Sequence, residues 1–131
     1  IAEVQKYGLT AIEQSILDRW FSSKYKLENQ KTLELWRNMF TRTDVEGYIK
    51  CCRAIANTNF KKGLKNINIP TLLLVGDEDG STPPDLVRAT SDLILDSKFE
   101  IIKGAGHLPC VEKPEYMAVL IKRFLIDHNI V

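Results

Sequence analysis

The sequence lacks the features that mark several classes of protein. It carries three cysteines in 131 residues, Cys51, Cys52 and Cys110. An odd count with two adjacent members argues against a disulfide framework and fits free thiols in a reducing, cytoplasmic compartment. An excess charge is lacking as well: 18 Lys and Arg against 17 Asp and Glu leave a net charge of +1. Near neutrality gives no electrostatic footing for nucleic acid or an anionic membrane surface. No apolar run approaches the roughly 18–20 residues that cross a bilayer. No N-terminal basic-then-apolar segment reads as a secretory signal. Internal repeats and low-complexity tracts are missing too. These absences leave a soluble globular chain, long enough to form a core without disulfide staples.

What is present divides into a helical first half and an α/β second half. Thr10-Ala-Ile-Glu13 has the form of a capping box. It would open a helix carrying Ile12, Ile16, Leu17 and Trp20 on one stripe and running to about Phe21. Asn29 is placed to cap a second helix with Leu33, Trp36 and Phe40 at helical spacing. Asp44 is placed to cap a third, with Val45, Tyr48, Ile49, Cys52, Ile55 and Ala56 recurring along it. Gly47 weakens that helix by about 1 kcal/mol relative to Ala.

After Pro70 the period changes. Thr71-Leu-Leu-Leu-Val75, ending at Gly76, predicts a strand covered on both faces, as in a parallel sheet. Pro84 or Asp85 opens a helix expected to turn Leu86, Ala89, Leu93 and Ile94 inward. Phe99-Glu-Ile-Ile-Lys103 predicts a second strand. Pro114 starts a last helix with Met117, Leu120, Ile121, Phe124 and Leu125 as its core stripe. Strand, helix, strand, helix is the crossover unit of α/β proteins. Two strands cannot cover both faces of such a run, and open sheets usually have about 4–6. The sequence therefore predicts part of a larger α/β fold. Its exposed apolar strand faces would favour self-association or pairing with the missing part.

In open α/β sheets, functional groups collect in the loops after the carboxyl ends of strands. The first such loop, Gly76 to Pro84, holds Asp77 and Asp79; the second, Gly104-Ala-Gly-His107, holds a histidine. A carboxylate after one strand and a histidine after the next can meet. A carboxylate at Nδ1 sets the tautomer that leaves Nε2 free as a base.

Gly76-x-x-Asp79 with Thr82-Pro83-Pro84, Gly106-His107-Leu108 and Glu112-x-Pro114-Glu115 resembles the C-terminal half of the α/β-hydrolase superfamily. Asp18-Arg-Trp-Phe21, Glu46-Gly-Tyr48 and Cys51-Cys52-x-Ala54-Ile55 are similar to the lid of 3-oxoadipate enol-lactonases, which open an enol-lactone in aromatic catabolism. The resemblance implies that residues 1–66 form a helical lid and residues 67–131 the C-terminal α/β part of the core. It also implies Asp79 as the triad acid, His107 as the base, and a small ester or lactone as substrate. Asp77 competes for the acid position; the family's spacing from the strand-ending glycine favours Asp79.

The nucleophile is missing. The sequence has no Gly-x-Ser-x-Gly elbow: Ser15, Ser22, Ser23, Ser81, Ser91 and Ser97 lack both its glycines and a preceding strand. The chain alone is expected to be inactive. Cys110, three residues after His107, is the other nucleophile to weigh, and reads as a buried core thiol. His128 reads as a helix-end surface residue. Trp20, Phe21, Trp36 and Phe40 could line a substrate pocket, and Arg19 or Arg53 could hold a substrate carboxylate; aromatic core and solvated cations are the simpler reading. No Cys/His spacing suits zinc, and Gly104-x-Gly106 is too short for a dinucleotide fingerprint. No metal or cofactor is expected.

Overall fold

The computed structural model describes residues 1–130. Its first part is helical: α1 (Ala2–Tyr7), a 3₁₀ turn at Leu9–Ala11, α2 (Glu13–Trp20), α3 (Ser23–Glu28), α4 (Gln30–Thr41), α5 (Val45–Ala56) and α6 (Lys61–Leu64). The second part runs β1 (Thr71–Gly76), α7 (Pro84–Ser91), β2 (Ser97–Ile102), α8 (Pro109–Glu112) and α9 (Pro114–Asp127). Among the described residues no helix is long and apolar enough to cross a membrane.

Buried Val4, Leu9, Ile16, Phe40 and Ile49 form the core of the helical part, with Ile12, Trp20 and Tyr48 packed against it. Aromatic rings tie it together. Phe40 meets Trp20 and Tyr48 edge-on at centroid distances of 5.8 and 5.7 Å, the arrangement that the ring quadrupole favours. Phe21, 1% exposed, stacks on Tyr25 and tilts against Trp36. All four of Trp20, Phe21, Trp36 and Phe40 thus take part in ring-to-ring packing.

The helix starts show where local signals were overruled. Asp44 caps α5 as expected, accepting from the Gly47 N–H at 2.6 Å. A Cβ on Gly47 would lie only 3.1 Å from the Asp44 Oδ2, so the glycine eases a tight cap. Thr10 does not cap α2. Burial of Leu9 draws this stretch into the 3₁₀ turn, and α2 begins at Glu13 with no side-chain cap. Asn29 occupies the N-cap position of α4 but donates backward to the Tyr25 carbonyl at 3.2 Å, closing α3 instead. Ser22 caps α3 by accepting from the Tyr25 N–H.

β1 and β2 pair in parallel with Thr71 opposite Ser97 and Gly76 opposite Ile102. Beyond the strands, the Asp77 N–H donates to Ile102 and the Glu78 N–H to Ala105. This continuation holds the two loops side by side. Burial departs from expectation, because two strands offer a narrow surface. Leu72, Leu73 and Leu74 are half-buried, and only the end of β1, Val75 and Gly76, is buried. Leu86, Ala89 and Leu93 are exposed rather than inward; of that expected stripe only Ile94 is buried. In α9, Phe124 is buried and Ile121 exposed. In α5, Val45, Ile55 and Ala56 are exposed.

Candidate active site

The two loops converge at the carboxyl ends of β1 and β2. The His107 Nδ1 lies 2.9 and 3.1 Å from the two carboxylate oxygens of Asp79. Asp79 is 7% exposed and fully engaged: Oδ1 accepts from the Ser81 and Thr82 N–H groups at 2.8 and 2.9 Å. Its Oδ2 accepts from the Thr82 hydroxyl at 2.9 Å. Burial pushes the Asp79 carboxyl upward, but the bonds from His107, Thr82 and Ser81 outweigh it and hold the group below its ordinary value. An ionised carboxylate only accepts, so the His107 Nδ1 is the donor of this pair, and in the uncharged form of the ring Nε2 is left as the acceptor. The His107 side chain is 34% exposed, open enough for a reacting group to approach.

Asp77 is turned elsewhere. Its Oδ1 accepts from the Gly104 N–H at 2.7 Å and its Oδ2 lies 3.6 Å from the Lys103 ammonium, locking the turn before His107. Thus Asp79, not Asp77, meets the histidine. Cys110 is exposed, not a buried core thiol; in the one-turn α8 only Pro109 is buried. His128 stands at the C-terminal end of α9 with its ring 4.4 Å from that of Phe124. Arg19 and Arg53 are both exposed.

The helical part takes hold of both loops. The last carbonyls of an α-helix have no partner within it; here the Arg19 carbonyl accepts from the Gly80 N–H at 3.1 Å and the Trp20 carbonyl from the His107 N–H at 2.8 Å. Glycine permits this approach: a Cβ on Gly80 would meet the Arg19 Cα at 2.9 Å, and one on Gly106 would meet the Trp20 carbonyl oxygen at 2.4 Å. The Ser23 N–H donates to Glu78 at 2.8 Å.

Glu112, quoted above only as part of a motif, is a further member of this contact. Its carboxylate accepts from the Gly106 N–H at 2.7 Å and from the Ser22 N–H and hydroxyl. The signal available in sequence was an acid five residues after His107, in the run Glu112-x-Pro114-Glu115. A cavity of about 350 Å³ lies beside Glu112, lined by Ser22, Tyr25, Asn29 and Lys113 among others; Asp79 and His107 do not line it. Among the described residues no three His, Cys, Asp or Glu side chains converge as a metal site requires.

Known proteins resemble this chain in sequence and in fold. The chain is 30% identical over 122 residues to 3-oxoadipate enol-lactonase 1 of Acinetobacter baylyi, covering 93% of this chain and 46% of that protein. It superposes on the enol-lactonase from Burkholderia xenovorans LB400 with a TM-score of 0.89 at 25% identity, covering 95% of this chain and 48% of that one. It also superposes on a thermophilic esterase from Thermogutta terrifontis with a TM-score of 0.86 at 28% identity, covering 96% and 47%. The chain spans about half the length of the relatives it matches. Residues 16–114 match the α/β hydrolase fold, and with the loop geometry above this places the chain in the α/β-hydrolase family.

Proposed function

We propose that this chain is the C-terminal, base-bearing part of a carboxylic-ester or lactone hydrolase of the 3-oxoadipate enol-lactonase kind. The Asp79–His107 pair carries the reading: a buried, hydrogen-bonded carboxylate held 2.9 Å from a partly exposed imidazole. In this scheme residues 1–66 form the lid, residues 67–131 belong to the catalytic core, and a serine outside these residues is the nucleophile. Its Oγ attacks the carbonyl carbon while the His107 Nε2 takes its proton, and Asp79 stabilises the resulting imidazolium. Collapse of the tetrahedral adduct breaks the bond to the leaving oxygen, which takes the proton from His107. Water, deprotonated by His107, then frees the acid and restores the serine. The scheme calls for no metal or organic cofactor, and a cytoplasmic setting suits its free thiols.

The esterase likeness favours a second reading, a general carboxylesterase. Assays of the complete protein on an enol-lactone and on short aryl esters separate the two. In that protein, His107→Ala should lower hydrolysis at least about a thousandfold; retained activity overturns the role of His107. The 131-residue chain alone should hydrolyse neither substrate, and turnover by it would overturn the external serine.

A further inference from the structure

We propose that Glu112 is a positioning residue for His107, a clasp that sets the histidine loop against the helical part. The inference rests on the reading of His107 as the base. Glu112 ends α8, so its carboxylate faces back toward the loop that α8 follows. It gathers the N–H of Gly106, the residue before His107, together with the N–H and hydroxyl of Ser22, which is 1% exposed. Ser22 follows the end of α2 by two residues, and the last carbonyl of α2, that of Trp20, receives the His107 N–H. Glu112 thereby closes a ring of contacts: Trp20 to His107, Gly106 to Glu112, Glu112 to Ser22. Without its acceptor oxygens, a buried glycine N–H and two buried serine donors lose their partner. The loop would then have to shift to reach water, carrying the His107 backbone with it.

The chain has only two histidines, so ring-nitrogen NMR reads His107 with His128 as an internal control. In the native chain the His107 Nδ1 proton should exchange slowly with water. Glu112→Met keeps the bulk but offers no acceptor oxygen, and should speed that exchange at least tenfold with His128 unchanged. Glu112→Gln should rescue it, because one amide oxygen can take the Gly106 N–H while the amide NH₂ donates to the Ser22 hydroxyl. A folded methionine variant with native His107 exchange overturns the proposal. Should that variant not fold, Ser22→Ala decides: a severalfold faster His107 exchange supports the clasp, and an unchanged rate overturns it. Asp79→Asn tests the underlying reading separately, since an unaltered His107 ring in that variant would discard the Asp79–His107 pair whatever Glu112 does.

Discussion

The backbone N–H of His107 donates to the carbonyl oxygen of Trp20 at 2.8 Å. The end of a helix in the first part of the chain thus fixes the backbone of the histidine in the second. The same helix end holds the Asp79 loop through the Arg19 carbonyl and the Gly80 N–H. A helix must place its last carbonyls somewhere, and here they serve as the scaffold on which the acid and histidine loops are aligned.

The Asp79 carboxyl sits below its ordinary value near 3.8. A group depressed on folding contributes stability that is present above the unfolded value and lost as pH falls through the folded one. Urea unfolding of the native chain should therefore weaken in acid more steeply than that of Asp79→Asn. At neutral pH the asparagine variant should be less stable by about 2 kcal/mol, because its NH₂ must face groups that already donate. Thr82→Val, which removes one of those donors, should cost about 1 kcal/mol. Equal acid slopes for native chain and asparagine variant would contradict the assignment.

Two glycines should respond in opposite directions to alanine. A Cβ on Gly106 would stand 2.4 Å from the Trp20 carbonyl oxygen and 2.9 Å from its carbon. Backbone cannot yield as a side chain does, so Gly106→Ala should destabilise by about 3 kcal/mol or more. Gly63, within α6, has no atom within 4 Å of its added Cβ. Gly63→Ala should stabilise by up to about 1 kcal/mol through helix propensity. Thermal melts of the two variants check both signs.

Leu86 of α7, and Leu93 and Leu95 between α7 and β2, are 50%, 42% and 90% exposed. Apolar surface of this kind favours association. Sedimentation equilibrium of the isolated chain is expected to give masses above the 14.9 kDa of one copy. The double variant Leu93→Lys, Leu95→Lys should return it to a single copy. A clean monomer of the native chain would refute this expectation.

Local pattern determined much of this protein. Helical spacing marked α2, α4, α5, α7 and α9, and an unbroken apolar run after Pro70 marked β1. Asp44 and Gly47 lie close in sequence, so their cap was legible there. Acid and histidine in successive loops after parallel strands pointed to a pairing. Tertiary contact decided the rest. It turned Asp77 to the Gly104 amide and left Asp79 for the histidine. It sent Asn29 backward to Tyr25 and left Thr10 in a turn that buries Leu9. It also joined Ser22 to Glu112 across 90 residues of sequence. A cap or an apolar stripe is a choice among neighbours a few positions apart. The partner of a buried N–H is chosen by whatever the folded chain brings within about 3 Å, and no local pattern specifies that.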